Sequence, residues 1–151
     1  MKQTGIKIIS LLFIIFGILW LSSGALLIAM FEESESMYSI IKEQLTNETI
    51  TPEMFKKMMM LISTLTIILG IISVIIGWGL WNFYNWARVG AIVFLGFGAL
   101  SGMISALVQP FFVVEVFINL IIIWYLMRRD VIEAFNKKRS IEEEILGNEF
   151  N

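Results

Sequence analysis

Very few residues in this chain have the chemistry to act on anything. There are no cysteines and no histidines among its 151 residues. That removes thiol and imidazole chemistry, disulfides, and zinc sites built on Cys or His. The group that stands out is Glu115, a carboxyl embedded in an apolar run, with Asn119 four residues on and so on the same helical face. An ionisable residue at such a place is costly to hold, and it is a functional candidate by default. It suits a proton or cation site, or a polar contact to a partner helix. The plainer reading is a carboxyl near enough to the interface to reach water, or one held by Ser101, Ser105 or Gln109. A second candidate is the small-residue set Gly98, Ser101, Gly102 and Ser105, whose four-residue spacing lets helix backbones approach closely, either within the chain or at an oligomer seam. A third is the cluster Met54, Met58, Met59 and Met60. Thioethers hold Cu(I) in some proteins, but flexible Met side chains more often form an adaptable contact face, and that is the reading adopted here. No phosphate-binding loop, carboxylate pair or nucleophile–base arrangement is present, so the chain is expected to be non-enzymatic, with no cofactor and no metal. Nothing points to nucleic acid.

These residues sit in a chain that is 58% hydrophobic and only 16% charged, with a mean hydropathy of +0.82. Soluble domains are nearer about 45–50% apolar, and here the charges fall in blocks between long apolar runs. An α-helix needs about 20 such residues to cross a bilayer. The runs predict four spans, at 8–31, 52–81, 87–108 and 111–128. The first follows a short basic start. It is too long for the apolar core of a signal peptide, about 7–15 residues, and is read as a retained helix. Thr51-Pro52-Glu53 reads as a helix start: Thr caps, Pro takes the first helical position, and Glu meets the positive end of the helix dipole. From Pro52 to Trp81 such a helix is ~45 Å long. It would stand proud of the bilayer at its beginning. Glu115 falls five residues after Pro110, ~7 Å into the fourth span.

The sizeable polar segment, 32–57, carries Met37, Ile40, Ile41 and Leu45 at helical spacing and is expected to contain an amphipathic helix. Asn47-Glu48-Thr49 within it is a glycosylation sequon. At the other end of the chain, Val131, Ile132 and Phe135 form a stripe beside Arg128, Arg129, Lys137, Lys138 and Arg139. This suggests that the fourth helix runs on and lies against the lipid surface. Ser140-Ile141-Glu142-Glu143 matches a capping box, with a short helix to follow. The organisation expected is a transmembrane domain over 1–135 and a polar tail over 136–151.

Basic residues decide the threading. Lys2, Lys7, Arg88, Arg128, Arg129, Lys137, Lys138 and Arg139 fall on one side, leaving Lys42, Lys56 and Lys57 on the other. Both termini are therefore expected to be cytoplasmic in the cell membrane. Trp81, Trp86 and Trp124 join Arg88, Arg128 and Arg129 as interfacial anchors. A recurrence is also visible: Ile9-Ser10, Ile14-Ile15 and Gly17-Ile18 return as Ile62-Ser63, Ile67-Ile68 and Gly70-Ile71 at one constant offset. In sequence so rich in Ile and Gly it is read as chance.

Gly79-Leu80-Trp81 with Trp86-Ala87-Arg88 and Ile92, together with the exit Trp124-Tyr125-Leu126-Met127-Arg128-Arg129-Asp130-Val131, resembles small uncharacterised four-helix membrane proteins of archaea and bacteria. The resemblance covers roughly 70–135. It implies an all-α, polytopic, antiparallel four-helix bundle and no known activity. Claudins have similar loop proportions, but their cysteine pair is missing here. The expected function is a membrane interaction or assembly protein, a homo-oligomer or accessory subunit. The alternative is a small ion or proton channel or transporter component using Glu115 and Asn119.

Overall fold

The computed structural model describes residues 2–30, Tyr38 and 51–137. The protein is all-α: α1 is Lys2–Ala29, α2 Pro52–Trp81, α3 Asn85–Ala106 and α4 Phe112–Leu126. A fifth helical stretch, α5, occupies 129–137. Three helices are long and apolar enough to cross a bilayer, over Gln3–Ala29, Pro52–Trp81 and Asn85–Ala106. Their outward residues are Ile, Leu, Val, Phe and Met, with Ile8, Leu19, Leu65, Phe97 and Ile104 all more than half exposed. An exposed apolar surface of this extent marks a membrane location. The amphipathic stripe of 37–45, the sequon at Asn47 and the capping box at Ser140 lie outside the described residues, Tyr38 excepted.

Local chemistry explains the helix ends. At the start of α2, the Thr51 hydroxyl accepts the Met54 N–H at 3.3 Å, and the Thr51 carbonyl accepts that of Phe55 at 3.0 Å. At its end the Tyr84 N–H donates to the Gly79 carbonyl at 2.9 Å, and the Phe83 N–H to that of Leu80 at 3.0 Å. These two bonds are a Schellman close. The position that normally takes glycine holds Phe83, with φ of 58°. An aromatic residue is strained there, and its ring is engaged in return by Phe135, centroids 5.7 Å apart. The helix therefore stops and the chain re-enters at Asn85 after three residues.

The fourth apolar helix is shorter than the sequence suggests. It has 15 residues, ~22 Å against a hydrocarbon core of about 30 Å. It does not run on through Arg128 either: the chain turns at Met127 and Arg128 before α5 begins. Nor does α5 lay its stripe on lipid. Val131 and Phe135 are 2% and 1% exposed, within the protein core. The reason is that the turn redirects the stripe onto Phe83 and its neighbours, an apolar surface that 3.6-residue periodicity cannot reveal.

The chain forms two compact units. The first comprises Met1–Ile14 and Ile75–Asn151. Its core gathers Ile6, Phe13, Ile76, Leu80, Ala87, Ala91, Leu95 and Leu126 with Val131 and Phe135. Ser10 is wholly buried among them, and its hydroxyl donates to the Gly77 carbonyl at 2.6 Å. A Cβ added at Gly77 would lie 3.0 Å from the Ser10 carbonyl oxygen. The second unit is Ile15–Val74. Within it Gly17 and Gly70 face each other: a Cβ on Gly17 would sit 2.9 Å from the Gly70 carbonyl oxygen, and one on Gly70 would sit 3.0 Å from that of Gly17. Gly24 likewise meets the Ser63 carbonyl, at 3.2 Å.

Within the second unit, seven residues forward along α1, from Gly17 to Gly24, match seven residues back along α2, from Gly70 to Ser63, so these two stretches run antiparallel. The recurring positions Gly17 and Gly70 thus meet in a packing contact. Gly70→Leu is accordingly expected to destabilise the protein by about 1–3 kcal/mol or more. Gly96→Ala, where an added Cβ meets nothing within 4 Å, should leave thermal unfolding in detergent unchanged or slightly raised.

Candidate functional site

Glu115 lies in the first turn of α4, where its negative charge is favoured by the helix dipole. Its side chain is exposed. Among the described residues it has no hydrogen-bond or ionic partner. Ser101, Ser105 and Gln109 do not hold it. Asn119, one turn further, is half-buried, and its amide rests over α3: a Cβ on Gly98 would be 3.1 Å from Asn119 Nδ2. Ser101 is exposed and Ser105 half-buried.

Helical spacing places these residues on one face of the α3–α4 hairpin. On α3 the positions Phe94, Gly98, Ser101 and Ser105 fall within about 60° of one another, and on α4 the same holds for Glu115, Asn119, Ile122 and Leu126. Near the α2–α3 turn this face is closed, by Phe13 against Phe94, centroids 5.9 Å apart, and by the burial of Leu126. Toward the α3–α4 connection it turns polar and uncovered. Polar groups elsewhere in the apolar helices are handled differently. Ser22, Ser63, Thr64 and Thr66 each donate to a carbonyl one turn back on their own helix.

The small residues of α3 are committed within the chain. A Cβ on Gly102 would come to 2.9 Å from Val116 Cγ2, and Gly102 is buried. Gly98 and Gly102 therefore let α4 approach α3 closely, while Ser101 of the same pattern stays exposed. On α2, Met54 and Met58 are about half exposed, with Met59 partly covered. Beside them the Phe55 ring packs on Tyr38, centroids 5.9 Å apart.

The aromatic and basic residues collect around the α2–α3 turn and the end of α4. Trp81, Trp86 and Trp124 are each 46% or more exposed. The Lys7 ammonium lies 5.5 Å from the Trp81 ring centroid, and the Arg128 guanidinium 5.6 Å from that of Trp124. Arg128 also reaches Asp130 at 3.6 Å; Arg129 is exposed. Arg88 is the most firmly placed of these cations. Its Nε donates to Asn85 Oδ1 at 3.1 Å, and its Nη1 to the Leu126 carbonyl at 3.5 Å. That second bond caps the last turn of α4, where a cation is favoured. The residue pattern gives no sign of this tie, because it joins residues 38 positions apart.

Apolar helices with apolar outer surfaces define a membrane-type α-helical protein. The chain belongs to a family described as a domain of unknown function, DUF7144, whose model matches residues 11–131. The Gly79-Leu80-Trp81 and Trp86-Ala87-Arg88 segments fall inside the matched span. No curated protein and no solved structure matches the chain.

If Gly102 serves intrachain packing, Gly102→Leu should lower the thermal stability of the single chain by about 1–3 kcal/mol through overpacking against Val116. A contact that served only an oligomer would instead leave single-chain unfolding unchanged and reduce the mass of the complex.

Proposed function

We propose that this is a non-enzymatic, multi-pass protein of the cell membrane that acts by assembly, as a homo-oligomer or as an accessory subunit of another membrane protein. In this reading α1 to α4 form an antiparallel bundle, both termini are cytoplasmic, and the α3–α4 connection lies on the outer side. One observation carries the reading: the uncovered polar face of the α3–α4 hairpin, where Glu115 and Ser101 are exposed beside Asn119. Bare carboxyl and amide groups on apolar helices seek hydrogen-bonding partners, and a helix from another chain supplies them. The exposed Met54 and Met58 offer an adaptable apolar surface for the same purpose. The basic residues support the threading.

Mass measurement on complexes extracted gently from the native membrane tests the assembly. The wild-type chain should run well above its own 17.3 kDa. Glu115→Leu with Ser101→Leu, both at exposed positions, should release it, with single-chain unfolding unaltered. A wild-type monomer would overturn the proposal. So would loss of a proton or cation flux in Glu115→Gln liposomes with assembly intact, which would assign the residue to conduction.

Threading is checked separately. The chain contains no cysteine, so single cysteines introduced at Asn47 and at Asn151 report cleanly. An impermeant maleimide on intact cells should label the first and spare the second.

A further inference from the structure

The end of α4 holds a basic arrangement that the assembly reading does not use. Arg88 reaches across from α3 to the Leu126 carbonyl. Two residues beyond Leu126 stands Arg128, and it lies over the ring of Trp124, two residues before Leu126. Two guanidiniums and one exposed indole thus border the same end of one helix. A guanidinium has five N–H donors. Arg88 spends one on Asn85 and one on Leu126, and among the described residues the others have no partner. These two contacts orient the guanidinium. The acid nearest in sequence, Asp130, is engaged by Arg128 at 3.6 Å, and Glu133 is exposed on α5. Trp124 is 65% exposed, an amphipathic ring of the kind that settles at headgroup depth.

We propose that Arg88, Arg128 and Trp124 form a binding site for the phosphate of an anionic phospholipid headgroup, with the indole alongside the upper acyl chain. The fork of an arginine matches two phosphate oxygens at once, and basic sites between helices on the cytoplasmic side suit anionic lipids. The inference rests on the membrane reading, and it is independent of what covers Glu115.

The test is thermal unfolding of the purified full chain in a neutral detergent, with native mass spectrometry to count bound lipid. The probes are phosphatidylglycerol, phosphatidylcholine and inorganic phosphate. Phosphatidylglycerol should raise the unfolding temperature by several degrees and remain bound. Phosphatidylcholine and phosphate should do neither. Arg88→Leu should weaken the phosphatidylglycerol effect on the order of tenfold, the loss of one charge-assisted contact. Because Arg88 also caps α4, Arg128→Gln provides the second variant. It leaves that cap intact and should weaken binding similarly, whereas Lys137→Gln should not. Equal stabilisation by phosphatidylcholine, or equal losses in all three variants, would overturn the site. Stabilisation by inorganic phosphate alone would overturn the lipid as its source. Carbonate extraction of the same chain from its membrane separates these outcomes from the membrane reading: a chain that washes off would sink that reading itself.

Discussion

Close backbone contact between α1 and α2 is the constraint on which the rest of this structure depends. Between apolar helices in lipid there is little hydrophobic gain to be had, because acyl chains solvate Leu and Ile as well as another helix does. Association must come from van der Waals contact at short range and from hydrogen bonds. At Gly17 and Gly70 in one unit, and at Gly77 against Ser10 in the other, an added Cβ would come within 2.9–3.0 Å of a carbonyl oxygen, closer than van der Waals contact. Ser10 adds the bond that apolar surroundings make valuable, a hydroxyl held by a backbone carbonyl at 2.6 Å. Around Gly17 and Gly70, a shift by one residue would place Ile18 or Ile71 where a glycine stands.

The second organising feature is the turn after α2. A Schellman close with phenylalanine in the left-handed position is locally unfavourable. It is held by distant residues: Phe135 of α5 covers Phe83, while Arg88 at the start of α3 ties down the end of α4. The connections are short, yet the end of the molecule that contains them is secured by contacts far apart in sequence. This is also where Trp81, Trp86 and Trp124 and several basic side chains collect, an arrangement suited to a membrane interface.

Polar groups divide along the same line. The hydroxyls of Ser22, Ser63, Thr64 and Thr66 fold back onto carbonyls of their own helices, and that of Ser10 enters the interhelical contact. Glu115, Ser101 and Asn119 stand on a face that is tightly closed near the turn and bare near the α3–α4 connection.

How much of this was legible in the residues themselves follows from what each signal measures. Apolar run length and the Thr51-Pro52-Glu53 start are local properties, and they suffice for an all-α membrane-type chain with a long second helix. Composition alone excluded thiol and imidazole chemistry, and Glu115 was visible as a carboxyl out of place. Pairing was not legible. Ser10, Gly17 and Gly24 look the same whether they face lipid or Gly77, Gly70 and Ser63, since a small residue advertises room and not the occupant. For the same reason Gly98 and Gly102 did not reveal whether their partner was α4 or another chain. The apolar stripe of Val131 and Phe135 was readable, but its burial depended on a turn at Arg128 that redirects it onto Phe83. Local residue patterns set which segments are helical and apolar; which faces meet was settled in the fold, because close packing depends on atoms brought together from distant parts of the chain.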